Sequence, residues 1–462
     1  MTLHFNLKGI FLFCLALMFC QALSWPTLAI ACVGLVLFVM YCYYRHHLEL
    51  ADIIFSSAFA MNLWYVLSSW GNVRQYDYFN FFMHADYFLE HNFFITNPSS
   101  YLESVFFQPP LWGGCAALVT KLIMLLGYTK EAGFDFVRFI SLFCISGAAI
   151  VFLRLMNLFM FKKRICELLF ALLCWAPIHG IIANLVNNDA AVYFLMMVAL
   201  YLAAQWYLQA NVKRALQLGG VLLAAGMIKF SGLMVVPAIG VLMIFKWIKH
   251  HKKTDVLLLM QFAIIGIGGI CGFAWGFFLL WGHLSLVPPP LDANFQSMSA
   301  YLLKERLLSV ETFLQPFSDV RGGDIEVNVW LTLVKTALFG EWQWASGWPA
   351  YVLYGLGILF VLICVWSFFS LFSYKLAEDY AFNAAIVVLC FSVFAAWINF
   401  WLDYPYFCSS EFRYVVILFP VSLLWIGNYF SQKNLPKNLY YLLAGGVLLM
   451  LFNRFMLYLY TI

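Results

Sequence analysis

Asp77 is the first residue in this chain whose type and position suggest chemistry. It lies in the segment Arg74-Gln75-Tyr76-Asp77-Tyr78, which directly follows a long apolar run in the 462-residue sequence. The dielectric is low at the edge of an apolar layer, so a carboxylate there can serve as a base or as a ligand for a cation. Asp77 is therefore a candidate base or cation ligand, with Arg74 beside it as a further site candidate, and a solvated acid on an amphipathic surface helix is the alternative.

Two further acids, Asp86 and Glu90, follow at an i, i+4 spacing, with His84 and His91 close by. This spacing puts the two acids on one side of a helix and predicts an amphipathic surface helix with a solvated polar face. A metal site made of these four residues is the alternative, and their loose spacing makes it the less favoured one.

Two basic residues, Lys229 and Arg413, border apolar runs. A lysine at the centre of a bilayer costs about 2.5–3.5 kcal/mol, and less where its side chain reaches the surface by snorkelling. Lys229 is therefore a functional candidate with an anionic lipid head group as its natural partner, and snorkelling is the alternative. Arg413 either binds a ligand or pairs with Glu411 as an anchor at the membrane interface.

Other polar residues also interrupt the chain between apolar runs. Asn187-Asn188-Asp189 precedes one run, and a helix N-cap explains one of these residues but does not require three. Gln108-Pro109-Pro110 precedes another run, and its two prolines fix the start of a helix. The remaining site candidates, in the long loop 282–349, are Arg321, Lys335 and Glu341.

Composition identifies the elements that must position these residues. Hydrophobic residues make up 64% of the chain and charged residues only 10%, whereas soluble domains carry about 25% charged residues. The twelve cysteines include no CxxC pair, so neither a zinc site nor a disulfide framework is indicated.

Continuous apolar runs recur along the chain, and lipid admits such runs as helices. We predict an all-α, polytopic membrane protein with about thirteen spans, at 9–24, 27–44, 52–70, 137–160, 166–182, 189–208, 215–229, 231–248, 256–281, 350–374, 381–400, 412–430 and 438–457.

Lysine and arginine in the short loops predict the orientation of these spans. The basic turns 161–164 and 246–253 are assigned to the cytoplasm, which places both long loops on the outer side. The apolar segment 109–127 is interpreted as an amphipathic or re-entrant helix at the outer interface, because one more crossing would move 161–164 outside. The predicted domains are 1–70 (an N-terminal hairpin and the third span), the outer loops 71–136 and 282–349, and the transmembrane bundles 137–281 and 350–462.

This topology places acids and cations from distant parts of the sequence on the same outer face. An acid with several cations around an outward-facing cavity suits a donor that carries an anionic lipid phosphate, because the cations would stabilise the phosphate as a leaving group. The acid would take a proton from an acceptor hydroxyl. The residues that share this face are Asp77, Asp189, Lys229, Arg321, Lys335 and Arg413.

The order of these residues resembles that of the GT-C glycosyltransferases that use polyprenyl-phosphate sugars. The protein O-mannosyltransferase relatives and the lipid A aminoarabinose transferase relatives are the most similar groups. The resemblance runs from about Asp77 to Arg413. It implies a GT-C-like fold with a helical first outer loop. The landmarks are Asp77, Pro109-Pro110-Leu111, Arg138, Asn188-Asp189, Lys229 with Gly232, Lys335 through Phe339-Gly340-Glu341, and Phe412-Arg413-Tyr414.

The resemblance implies that Asp77 is the catalytic base and that Lys229, Arg413 and Arg138 contact the donor phosphate. The chain departs from many relatives in two places. Tyr78 follows Asp77 where they have a second acid, so no obligatory metal is expected and a divalent metal is the alternative. Gln108 stands where they have a histidine before the two prolines, which bears on acceptor binding.

The sequence thus predicts an inverting glycosyltransferase that moves a sugar from a polyprenyl or dolichyl phosphate to a protein, lipid or glycan acceptor. Membrane lipids are expected partners and nucleic acid is not. The expected location is the bacterial inner membrane with the site facing the periplasm, and the endoplasmic reticulum membrane is the alternative. A transporter or flippase of lipid-linked glycans is the second reading, which predicts mid-membrane charges and internal repeats. A non-catalytic assembly factor is the third.

Overall fold

The computed structural model describes residues 49–69, 75, 77–91, 109–249, 255–280, 301–316, 326–340, 347–377, 379–433 and 435–461. These residues form α-helices joined by turns and short 3-10 helices, and they contain no β-strand. The predicted spans 9–24 and 27–44 lie outside them. The helices are α1 Leu50–Ser68, α2 Tyr78–Glu90, α3 Leu111–Leu125, α4 Lys130–Asp135, α5 Arg138–Leu158, α6 Lys163–Trp175, α7 Pro177–Ala183, α8 Asp189–Leu208, α9 Val212–Ile228, α10 Val236–Lys249, α11 Val256–Leu280, α12 Leu303–Leu308, α13 Val329–Phe339, α14 Trp348–Phe368, α15 Tyr380–Asp403, α16 Leu418–Lys433 and α17 Lys437–Thr461.

Eight helical stretches in the described part of the chain are long and apolar enough to cross a membrane, and up to ten if two bent pairs count as single spans. One further predicted span, 215–229, corresponds to α9, which has 17 residues. The class of an all-α, multi-pass membrane protein is therefore confirmed. The predicted number of about thirteen spans is not confirmed.

A proline bends the span formed by α6 and α7 by 46°. Pro177 has no backbone N–H and interrupts the helical hydrogen bonds at that point. Arg454 of α17 donates from Nη1 to the carbonyl oxygens of Cys174 at 3.4 Å and Ala176 at 3.2 Å, and from Nη2 to Asn62 of α1. The buried arginine thus supplies donors to the broken backbone, as unpaired groups inside a membrane require.

Helices α9 and α11 approach each other through glycine. A Cβ on Gly268 of α11 would lie only 2.3 Å from the carbonyl oxygen of Gly219 on α9. Small residues at such crossings let membrane helices pack closely by van der Waals contact. The two helices meet again nearer the C-terminal end of α9, where a Cβ on Gly226 would lie 2.6 Å from the carbonyl carbon of Gly272.

The described part of the first long loop contains three helices, α2, α3 and α4, which pack in sequence with α2 against α3 and α3 against α4. Lys130 of α4 pairs with Asp86 of α2 at 2.7 Å. Helix α3 has 15 residues and is about 22 Å long at 1.5 Å per residue, less than the roughly 30 Å of hydrocarbon that a span must cross. Its exposed side includes Leu118, Leu122 and Leu125. Its location at the outer interface stays a prediction.

Candidate functional site

Arg413 is the centre of a cluster of carboxylates that come from three parts of the chain. It lies in the 3-10 helix Phe412–Val415, just before α16. Its Nη2 is 3.1 Å from Oδ2 of Asp77, its Nη1 is 3.8 Å from Oδ2 of Asp189, and its Nε is 2.7 Å from Oε2 of Glu411. A guanidinium presents donors in several fixed directions, so one arginine can hold carboxylates from different elements.

Lys229 joins the same cluster through Asp189. It follows α9 with an extended backbone, at the break between that helix and the 3-10 helix Phe230–Val235. Its Nζ lies 2.5 Å from Oδ1 of Asp189. Lys229 Nζ and the Arg413 guanidinium carbon lie 5.1 and 5.3 Å from the centroid of the Tyr414 ring, a cation–π arrangement. The aromatic ring thus connects the two cations.

The balance of charge in this cluster differs from the predicted single acid among several cations. Asp77, Asp189 and Glu411 face Lys229 and Arg413, which gives three negative and two positive charges, a net charge of −1. Buried charges in an apolar bundle are costly unless they are paired. The two cations are therefore already neutralised by carboxylates in this structure.

Asp77 is the most accessible acid of the cluster. Its side chain is 39% exposed, whereas those of Asp189 and Glu411 are 6% and 3% exposed. It immediately precedes α2, and its backbone carbonyl accepts a hydrogen bond from Phe81 of that helix at 3.1 Å. Asp77 can therefore meet an incoming molecule, while Asp189 and Glu411 hold the cations from behind.

A cavity opens beside the two cations. Polar lining comes from Asp189, Lys229, Ser231 and Arg413. The apolar and aromatic lining consists of Val192, Tyr193, Met196, Met234, Tyr414, Val416 and Ile417. The lining places an ammonium and a guanidinium next to apolar side chains, and two cations of this kind attract an anionic group.

The segment Asn187-Asn188-Asp189 fixes both sides of the cluster. Asn187 donates from Nδ2 to Oδ2 of Asp189 at 2.9 Å and accepts the backbone N–H of Asp189 at 3.1 Å. Asn188 donates from Nδ2 to the carbonyl of Ile228 at 3.2 Å, next to Lys229. The two amides orient Asp189 and the end of α9. These contacts explain why three polar residues occur here, although a helix N-cap needs only one.

The structure does not bring Arg138 to this cavity. Arg138 pairs with Asp135, donates to the carbonyl of Ser69 and donates to Oδ1 of Asn184 at 2.7 Å. It is buried among these partners and is not a lining residue. Its geometry is that of a brace between α5 and the segment that follows α7.

Lys335 also lies away from the cavity. It forms an ion pair with Glu326 and donates to the carbonyl of Thr312 at 2.9 Å. Burial lowers the pKa of Lys335, and the neighbouring Glu326 opposes that shift. The next residue, Thr336, accepts the backbone N–H of Phe412 at 2.9 Å. Helix α13 therefore supports the 3-10 helix that holds Arg413.

Four predicted site residues, Arg74, Gln108, Arg321 and Glu341, lie outside the described residues.

Sequence reasoning missed an aromatic group beside Asp77. The rings of Tyr404 and Tyr406 lie 4.6 Å apart between their centroids. Burial, with smaller contributions from Cys408, Tyr406 and Asp77, raises the pKa of Tyr404 well above its usual range. The sequence feature that could have indicated this aromatic group is the segment Tyr404-Pro405-Tyr406, directly after a span.

Fold and site together define a multi-pass helical membrane protein with a charged cavity at the ends of its helices. No protein-family model and no curated protein matches the sequence. Among solved structures, the chain is similar to the S. cerevisiae protein O-mannosyltransferase Pmt1-Pmt2 complex bound to the sugar donor, with a TM-score of 0.40 and 16% sequence identity. The similarity covers 59% of this chain and 38% of that chain, so it spans well under half of that protein's length.

Proposed function

We propose that this protein is an integral membrane glycosyltransferase that takes its sugar from a polyprenyl or dolichyl phosphate. The observation that supports this proposal best is the position of Arg413, which contacts the accessible Asp77 and lies with Lys229 on a partly apolar cavity. The cavity offers two cations to a phosphate and apolar side chains to a lipid. The cluster also offers a carboxylate to an acceptor hydroxyl.

Donor binding begins, in this proposal, with an exchange of anions. The lipid phosphate replaces Asp77 as a partner of Arg413. It also interacts with Lys229, whose ion pair with Asp189 becomes weaker. Charge-assisted hydrogen bonds to phosphate compensate for those that Asp77 loses. The exchange leaves the Asp77 carboxylate without its cation and free to act as a base. No metal is required by this scheme, because Arg413 and Lys229 supply two positive charges to the phosphate.

The transfer itself is a single displacement. An acceptor hydroxyl gives its proton to Asp77 as its oxygen forms a bond to the anomeric carbon of the sugar. The bond between that carbon and the phosphate oxygen breaks, and its electron pair leaves with the lipid phosphate. Arg413 and Lys229 stabilise the charge that develops on the leaving phosphate. The anomeric centre is inverted, and the products are the glycosylated acceptor and the free lipid phosphate.

The assay for this proposal uses purified protein and a labelled polyprenyl-phosphate sugar. Asp77→Asn is compared with wild type and with Asp86→Asn, which removes an acid from the neighbouring helix and breaks its ion pair to Lys130. Positioned general bases contribute about 10²–10⁴-fold, so we expect transfer or slow hydrolysis to fall at least about 100-fold in Asp77→Asn only. Equal turnover in both variants would remove Asp77 from the mechanism. Movement of the lipid across the membrane without bond cleavage would instead identify a flippase.

The site faces the periplasm or the lumen in this proposal, and the acceptor is a protein, lipid or glycan on that side. The support comes from the basic turns at 161–164 and 246–253, which favour the cytoplasm. The opposite end of the bundle then contains Asp77 and the cavity.

A further inference from the structure

We propose that Gln75 and Trp112 are positioning residues that hold Asp77 in place through the backbone of Val186. This inference rests on the proposed role of Asp77 as the base. Gln75 Oε1 accepts the backbone N–H of Val186 at 2.8 Å, and Trp112 Nε1 donates to the carbonyl of the same residue at 3.0 Å. Both side chains are buried, and neither belongs to the cavity lining.

Val186 is a suitable reference point because its backbone is buried and not helical. It lies in the linker between α7 and α8 and is 0% exposed. Buried peptide groups need partners, and here side chains supply them where a helix does not. The linker is held on its other sides as well: Arg138 binds Asn184, and Ser141 donates to the carbonyl of Leu185 at 2.6 Å.

Two of the three residues in this contact are close in sequence to carboxylates of the site, and the third belongs to α3. Gln75 precedes Asp77 by two residues, Trp112 follows the two prolines at the start of α3, and Val186 precedes Asp189 by three residues. The backbone of a single residue, Val186, therefore ties the first long loop to the helix that begins with Asp189. Since Asp189 shares Arg413 with Asp77, the contact fixes the base relative to the cations.

Displacement of a catalytic group by about 1 Å can cost roughly 100-fold in rate. Loss of either hydrogen bond should therefore lower kcat while it leaves donor binding intact, because Asp189 and Glu411 still hold Lys229 and Arg413. A residue that only supports the fold would instead lower the amount of folded protein without changing the kcat of what remains.

The test uses two matched pairs of variants in the full-length protein. Gln75→Met removes the acceptor at Val186, and its control is Gln261→Met, because Gln261 is equally buried and accepts Trp206 Nε1 at 2.8 Å on a distant helix. Trp112→Phe removes the indole donor together with part of the buried ring. Its control is Trp425→Phe, because Trp425 donates to the carbonyl of Cys364 at 3.1 Å.

We expect kcat to fall at least tenfold in Gln75→Met and Trp112→Phe, with the KM for a labelled polyprenyl-phosphate sugar changed less than threefold. Both controls should keep kcat within twofold of wild type. Kinetics of both site variants that match those of their controls would overturn the inference, and so would a loss confined to KM. If Asp77→Asn is as active as wild type, the proposed function fails instead.

A second measurement does not depend on activity. Hydrogen exchange of the Val186 amide should accelerate at least tenfold in Gln75→Met and remain unchanged in Gln261→Met. An unchanged rate in Gln75→Met would show that the contact does not hold the linker and would overturn the inference directly.

Discussion

Arg413 and Asp77 form an ion pair, with Nη2 of the arginine 3.1 Å from Oδ2 of the aspartate, although they are far apart in the sequence. The pair joins the first long loop to the start of α16. Because Arg413 also contacts Asp189 and Glu411, an anion that enters the cavity competes with carboxylates for one guanidinium. This competition connects donor binding to release of the base.

Replacement of Arg413 by lysine should separate charge from geometry. Arg413→Lys keeps the positive charge but loses the fork that contacts three carboxylates, and an ammonium cannot replace bidentate recognition of phosphate. We expect affinity for a polyprenyl-phosphate sugar to fall at least tenfold. Arg214→Lys is the control, because Arg214 is a half-buried arginine that donates to Gln209. Equal affinity in the two variants would contradict the assigned phosphate contact.

The side of the membrane on which Asp77 lies can be tested by thiol labelling. Thr129→Cys, in the exposed turn before α4, should react with a membrane-impermeant reagent from outside intact cells or sealed vesicles of known orientation. Lys213→Cys, in a basic turn at the start of α9, should react only after permeabilisation. The reverse pattern would invert the topology and place Asp77 in the cytoplasm.

Arg454 should be a strong determinant of stability. Arg454→Met leaves the carbonyls of Cys174 and Ala176 and the side chain of Asn62 without this donor. Hydrogen bonds to charged groups contribute about 1.5–3 kcal/mol each, so we expect a loss of about 3 kcal/mol, measured as a lower Tm in detergent. Arg154→Met, which removes an exposed arginine from α5, should leave Tm nearly unchanged. A similar Tm for both variants would show that the bent span does not depend on Arg454.

His84 should make the first long loop sensitive to acid. Burial lowers the pKa of His84 from 6.5 to about 4, and its ring packs against Gly113. Between these two values the unfolded loop binds a proton that the folded loop does not, so stability falls as pH drops from about 6.5 to 4. At 1.36 kcal/mol per pKa unit, the loss reaches up to about 3 kcal/mol.

The measurement is Tm as a function of pH between 4 and 7, for wild type and for His84→Gln. The variant should show a flatter dependence on pH across this window. An identical dependence in both proteins would show that a different group is responsible.

The helices of this protein were predictable from sequence because each described span is a continuous apolar run. Runs of this kind specify helix in lipid without reference to the rest of the fold. The bend at Pro177 was less accessible, since it depends on donors from Arg454 far along the chain. A single sequence shows the proline but not the helix that compensates for it.

Only part of the candidate site was predictable from sequence. Lys229 and Arg413 stand out as cations beside apolar runs, and the structure brings them together with Asp77 and Asp189. Sequence does not show which acid pairs with which base, because that depends on how distant helices pack. For this reason Lys335, a similar cation, is found with Glu326 instead of at the cavity.

Donor binding by Arg413 and Lys229 is tested most directly by a crystal or cryo-EM structure of the protein in lipid with a polyprenyl phosphate bound. We predict that the phosphate lies about 3 Å from both Arg413 and Lys229, that the hydrocarbon packs against Met196 and Ile417, and that Asp77 is separated from Arg413. A phosphate bound elsewhere, with the Asp77–Arg413 pair still intact, would contradict the proposed donor site.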